Sequence, residues 1–250
     1  MADATPDQHP TYFPAPRREL ADRLREGDRI LDAAMAKTEK VIPEGHVLVW
    51  RGEPQTAIYR LIAGKIARVR SLEDGQRQIV CIFSPGDLLA VKAILLDRQP
   101  DNIEALSRAT VRSLEYTDAL TLGTQHSDVS LRFKWQLSED ERRLRNNVMM
   151  LGRGTALERI STVLLDLQAR LVRFNNRFQL IPIRQQDIAD YVGLSLIHVN
   201  RTLRTLREQG ALETRIGGIV IRNSATLSRH ATPMRDVFER ESLEFGARLY

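Results

Sequence analysis

Between Ser195 and Glu208 the side chains sort into two unlike sets at helical spacing. Val199, Leu203 and Leu206 fall at i, i+4 and i+7, an apolar stripe, while Ile197, Asn200, Arg201, Arg204 and Glu208 point elsewhere. Arginine and asparagine in the first turns of an exposed helix can make paired hydrogen bonds to the guanine and adenine edges of a major groove, and an exposed isoleucine suits a thymine methyl. Ser195 is placed to cap this helix, its hydroxyl accepting from a free amide of the first turn. With Leu196 and His198 in that turn, Arg184, Gln185 and Gln186 upstream and Arg215 downstream, these residues form the expected DNA-contacting set. The competing reading is a solvated arginine face carrying one stray isoleucine.

A reading helix needs a scaffold, and the run Gln185-Gln-Asp-Ile-Ala-Asp-Tyr-Val-Gly-Leu-Ser195 supplies one. A helix-turn-helix requires a small residue where its helices touch, a glycine in the tight turn and apolar residues locking the second helix on the first. Ala189, Gly193 and Val199 stand in that order, four and six residues apart, with Ile188, Val192 and Leu203 as accompanying core. Immediately afterwards, residues 212–222 read as two short strands joined at Gly217-Gly218, which makes a wing and brings Arg215 and Arg222 near phosphates.

Charge points the same way. The 250-residue chain has a net charge of +5, yet residues 142–222 hold fourteen arginines and no lysine against six carboxylates, a local excess of eight positive charges. The alternative is a set of solvated helix faces. Composition is that of an ordinary globular protein, 42% apolar and 28% charged, long enough for two domains. Cys81, the single cysteine, excludes an internal disulfide, a four-thiolate zinc site and an iron–sulfur cluster, and reads as a small buried hydrophobe. No Gly-x-x-x-x-Gly-Lys loop, Gly-x-Gly-x-x-Gly turn, Gly-x-Ser-x-Gly elbow or His-Glu-x-x-His pair occurs, so an enzyme is not expected. No secretory signal opens the chain and no run reaches about 18 apolar residues, so no membrane association and a cytoplasmic location are expected.

Five segments follow from texture. Residues 1–19, with Pro6, Pro10, Pro14 and Pro16, read as a mobile arm. Residues 20–126 begin with a short helix and continue as β-rich runs punctuated by Gly45, Gly52, Gly64, Gly75 and Gly86, the pattern of a barrel or jelly roll. Residues 127–152 read as a long helix in which Leu137, Leu144, Val148 and Leu151 fit an a/d series, with Glu141 at the vacant position. Periodicity alone serves equally a helix packed on its own domain and one that pairs with a twin; the DNA-reading element favours pairing. Gly152 and Gly154 mark a hinge into residues 153–226, the winged helix-turn-helix, and residues 227–250 form a tail without a functional reading.

From about residue 25 to residue 225 the chain resembles the Crp/Fnr superfamily of bacterial transcription regulators. The glycine-spaced roll, Ser84-Pro-Gly-Asp87, the long helix, Ala156-Leu-Glu-Arg-Ile160 and the winged helix occur in family order. The resemblance implies an α+β fold: an N-terminal double-stranded β-helix of the cyclic-nucleotide-binding type, a dimerisation helix and a C-terminal winged helix-turn-helix. It further implies a homodimer bound to a palindromic promoter site on double-stranded DNA, with RNA polymerase as a further partner.

Departures from the family pattern are informative. Where cyclic-AMP-binding members carry a Gly-Glu pair and an Arg-Ser pair in the phosphate cassette, this chain has Ala90-Val91 and Asp101-Asn102. A carboxylate in place of the phosphate's arginine would repel the nucleotide, so cyclic-AMP control is not expected and the effector pocket is degenerate. His9, His46, His126, His198 and His230 show no haem-ligand spacing, and no cofactor or metal is expected. The chain thus sits nearest the FixK-like members, which use neither cyclic AMP nor an iron–sulfur cluster. Within the recognition helix Arg201 matches the family's guanine-reading arginine, and Ile197 stands where a glutamate is usual. Two further readings stay open: another small molecule (a nucleotide or haem) in the roll, and RNA or protein as the basic domain's partner.

Overall fold

Short β-branched runs separated by turn residues can bury one face each only by stacking, and here they do so as two antiparallel four-stranded sheets. In the computed structural model, which describes residues 18–73, 75–172 and 180–232, the strands are β1 (Lys40–Ile42), β2 (Val47–Val49), β3 (Ala57–Ala63), β4 (Ile66–Ser71), β5 (Arg77–Phe83), β6 (Leu88–Leu89), β7 (Asn102–Ala105) and β8 (Ala109–Glu115). One sheet runs β1-β8-β3-β6 and the other β2-β7-β4-β5. Leu61, Ile66, Phe83, Leu89, Ile103 and Val111 fill the space between them. Cys81 lies in that filling, 1% exposed, and burial pushes its thiol pKa up, as befits an inert small hydrophobe.

Helix α1 (Ala21–Ala34) precedes the roll, and α2 (Tyr116–Gln125) and α3 (Ser127–Arg153) follow it. The last strand of the roll ends at Glu115, and a one-residue break at His126 divides α2 from α3. Charged groups tie α1 and α3 to the roll. Asp28 of α1 accepts from Arg60 of β3 at 2.5 Å and from Arg132 of α3 at 2.8 Å, and both arginines also donate to the Gly86 carbonyl.

Beyond α3 come α4 (Ala156–Val172), β9 (Leu180–Ile181), α5 (Gln185–Val192), α6 (Leu196–Glu208), β10 (Leu212–Arg215), β11 (Gly218–Ile221) and α7 (Ser224–Ala231). Helix α7 packs against α4, so the expected boundary at residue 226 falls inside an element of the helical half. The expected arm lies outside the described residues up to residue 17, as does the tail beyond residue 232.

The two halves share one core. Ala67, Val69, Ile79, Ile82 and Leu106 from the outer face of β4, β5 and the loop after β7 pack with Ile160, Val163 and Leu164 of α4 and Ile188 and Tyr191 of α5. The glycine hinge expected at Gly152 and Gly154 is correspondingly stapled. Arg159 donates from Nε to the Gly154 carbonyl at 2.7 Å and from Nη1 to the Val192 carbonyl at 3.0 Å. Among the described residues no helix is long and apolar enough to cross a membrane.

Candidate nucleic-acid interface

Helix α5 stops at Gly193, whose φ of +64° is left-handed backbone that costs glycine little, and the chain turns at once into α6. Space is short there as well: a Cβ on Gly193 would sit 3.2 Å from Leu151 Cδ2. The Ser195 hydroxyl accepts from the His198 amide at 3.3 Å, the cap expected of it. Val199, Leu203 and Leu206 are each fully buried against α4 and α5, a stripe that burial stabilises by about 1.5–3 kcal/mol per side chain.

Fixing that stripe inward turns Leu196, Ile197, His198, Asn200, Arg201 and Arg204 to solvent. Ile197 is 75% exposed, its side chain open to a partner beside the exposed Asn200 and Arg201. Asn200, Arg201 and Arg204 form no side-chain hydrogen bond or ion pair among the described residues. These fork-shaped and amide donors are therefore open on a rigid helix, as readout of base edges requires.

The remaining arginines of the basic stretch are largely engaged, which corrects the simple reading of its charge. Arg142 pairs with Glu139, Arg143 with Asp87, Arg159 with two carbonyls, Arg170 with Asp166, and Arg207 with the Thr214 hydroxyl. Arg173 and Arg177 lie outside the described residues. Arg184, expected on the DNA, donates to Asp187 through two hydrogen bonds of 2.8 and 2.9 Å and reaches Glu44 of the roll at 3.3 Å, its side chain half-exposed. Gln185, next to it, is half-buried at the start of α5, and the Gln186 amide donates to Asp190 at 2.7 Å.

The wing is built as three strands, β10-β11-β9, where two were expected. Arg215 pairs with Gly218, so the two-residue turn is Ile216-Gly217 and not Gly217-Gly218. Gly217 takes the positive φ of +86°; Gly218 serves a different purpose, since any Cβ there would collide with the Ile181 carbonyl of β9. Arg215 and Arg222 share Glu213, at 3.0 and 2.8 Å, and their hydrogen bonds hold its carboxyl below the usual range. Ile216 at the tip is fully exposed.

Inside the roll, the expected effector residues are occupied by the protein itself. Ala90 takes a left-handed φ of 55° before a short 3-10 turn and Val91 is buried in the core beneath α2. Asp101 is not the bare carboxylate that the sequence suggested: Arg70 donates to it at 2.8 Å and Arg68 approaches to 3.9 Å. The Asn102 amide oxygen accepts from the Arg51 backbone N–H at 2.8 Å. Arg68 also lies 3.8 Å from Asp140 of α3, whose carboxyl burial pushes above its ordinary pKa. No group of His, Cys, Asp and Glu among the described residues could hold a metal ion.

The expected a/d row divides. Leu137 packs partly against the core beneath α2, and Leu151, also half-buried, lies close to Gly193. Leu144, Val148 and neighbouring Met149 are 44, 62 and 55% exposed on one stretch of α3. Sequence reading missed Arg77 and Gln78, which join the two halves, because their partners lie far away in the chain and no local pattern marks them; Arg77 meets Asp190 across 113 positions.

Comparison with known proteins agrees with this architecture. The cyclic nucleotide-binding domain family matches residues 39–126 and the Crp-like helix-turn-helix domain family matches residues 158–230. The nitrogen fixation regulation protein FixK of Bradyrhizobium diazoefficiens is 28% identical over 172 residues, 68% of this chain and 72% of the relative. Its namesake in Azorhizobium caulinodans is 32% identical over 168 residues, 64% of this chain and 66% of the relative. Among solved structures, FixK2 from Bradyrhizobium japonicum superposes with a TM-score of 0.69 at 26% identity, covering 77% of this chain and 96% of that one.

Proposed function

This chain belongs to the Crp/Fnr superfamily of transcription regulators and is no enzyme, and from that premise we propose that it binds a palindromic promoter site as a homodimer, without cyclic AMP. The observation that carries this reading is the outer face of α6. There Arg201, Arg204 and Asn200 stand unpaired beside an exposed Ile197, while most neighbouring arginines are bound within the protein. Arg201 reads a guanine, Ile197 contacts a thymine methyl, and Arg215 and Arg222 on the wing favour phosphates. Exposed Leu144 and Val148 seat α3 against its twin, placing two copies of α6 about one helical turn apart, roughly 34–36 Å. RNA polymerase, in the cytoplasm where promoters lie, is the partner of the DNA-bound dimer.

Independence from cyclic AMP is supported by two features: Val91 is buried in the core beneath α2, and the Arg68–Asp101 and Arg68–Asp140 approaches engage a cation that a nucleotide phosphate would need free. The test is selection of binding sites from random duplex DNA by the purified ligand-free protein, with salt titration of the winning site. A palindrome bound at nanomolar strength, and unaffected by added cyclic AMP, is expected. Weak binding with no sequence preference, or a requirement for the nucleotide, contradicts the reading.

A further inference from the structure

Arg77 closes the seam between the roll and the helical half. It ends the β4–β5 hairpin, opposite Ser71, and its guanidinium lies among three carboxylates. Nη2 donates to Glu104 of β7 at 2.6 Å and Nη1 to Asp190 of α5 at 2.6 Å, with Asp187 at 3.5 Å. Asp187 and Asp190 are buried and Arg77 is mostly so, which leaves little solvent screening. Next to it the Gln78 amide donates to the Tyr191 carbonyl at 3.2 Å, one residue beyond Asp190 on the same helix. Two consecutive roll residues thus hold the last turn of α5, the helix on which α6 is seated.

The consequence concerns distance along DNA. The orientation of α6 relative to the dimer helix α3 is set by the Arg159 staple at one end and this seam at the other. Without Arg77, Glu104 on the roll and Asp190 on α5 face each other as unneutralised like charges, and the seam loosens. A loosened helical half still presents the same base-reading residues, because the α5–α6 core is untouched.

We propose that Arg77, a residue of the roll that touches no DNA, is a positioning residue that fixes the separation of the two half-sites the dimer accepts. This rests on the palindrome-binding reading above. The full-length protein and its Arg77→Ala variant are titrated against the selected palindrome, against versions with the centre shortened or lengthened by one and two base pairs, and against a single half-site. The unaltered protein loses roughly tenfold or more in affinity for each wrong spacing, in line with a misplaced half-site. The variant binds the single half-site within twofold of the unaltered protein, binds the best palindrome roughly tenfold more weakly, and discriminates among spacings by less than about threefold. A general loss of stability would lower every affinity together and leave the spacing profile unchanged; that result, or an unaltered profile at full affinity, overturns the proposal. Should Arg77→Ala fail to fold by circular dichroism, Arg77→Lys takes its place, since it keeps the charge but not the fork that spans Glu104 and Asp190; an unchanged spacing profile in it overturns the proposal equally. If the unaltered protein itself selects no palindrome, the functional reading fails and this inference with it.

Discussion

Arg143 of the long helix meets Asp87 of the Pro-Gly-Asp turn through two parallel hydrogen bonds of 2.8 Å, with both side chains buried in the interior of the molecule. Burial alone would raise the Asp87 carboxyl, yet the Arg143 guanidinium and the Ser84 amide hold it below the ordinary carboxylate range. A carboxyl depressed in the folded protein stabilises it above the unfolded value near 4 and loses that contribution as pH falls through the folded value. Asp87→Asn leaves Arg143 buried without its charge partner and is expected to cost about 3–5 kcal/mol at pH 7. Urea unfolding at pH 7 and pH 3 checks this, the difference between the two proteins shrinking at the acid pH.

On the reading helix, Arg201→Ala is expected to cost about 1–3 kcal/mol on the selected site and to relax preference at one base pair of each half-site. Arg215→Ala, on the wing, is expected to weaken specific and random duplexes alike and to lower the salt slope by about one. Fluorescence anisotropy against single-base variants separates them; equal losses for Arg201→Ala on specific and random DNA contradict base reading.

Val148 is the most exposed apolar residue on α3. Val148→Glu places two carboxylates face to face if the helices pair, and sedimentation is expected to show monomers, with palindrome affinity reduced toward that of one half-site. A dimer of unchanged strength places the interface elsewhere.

Lys65 is 1% exposed, with Nζ 3.3 Å from the Pro182 carbonyl, Arg170 of α4 repelling it and Asp187 of α5 attracting it. Burial lowers its pKa to about 7 from the ordinary 10.5. Between these values the unfolded chain binds the extra proton, so stability rises with pH, by up to about 1.4 kcal/mol per unit from this group. Lys65→Met is expected to remove that rise, flattening stability from pH 7 to 9 relative to the unaltered protein; parallel curves in thermal unfolding would sink the assignment.

Gly217 and Gly218 are adjacent but answer to different constraints. Gly217→Ala strains one left-handed residue by about 1–2 kcal/mol and leaves the wing paired. Gly218→Ala must push β9 away from β11, and faster hydrogen exchange at Ile181 and Ile219 is expected only there.

What sequence revealed was governed by local rules. The Ala189, Gly193, Val199 order and the Val199, Leu203, Leu206 stripe depend on contacts within one supersecondary unit, and both stand as read. Turn glycines likewise announced the roll. Asp101 reads as a bare carboxylate in the sequence, but Arg70, from another strand, pairs with it and changes what it is free to do; Arg184 likewise reaches Glu44 in a turn of the roll. Leu137 and Leu151 fit the heptad yet are already half-buried within the chain, because a period identifies a face and not what covers it. The seam was illegible for the same reason: Arg77 is one arginine among many until the fold brings Asp190 to it.

The core shared by β4, β5 and α4 bears on how such a regulator can be rebuilt. A chimaera joined at Gly154, just after α3, with a foreign reading head on this roll, would lay Ala67, Val69, Ile79 and Ile82 bare or against side chains never shaped for them. Specificity is therefore exchangeable at the outer face of α6, residue by residue, whereas the reading head as a whole is not a detachable module.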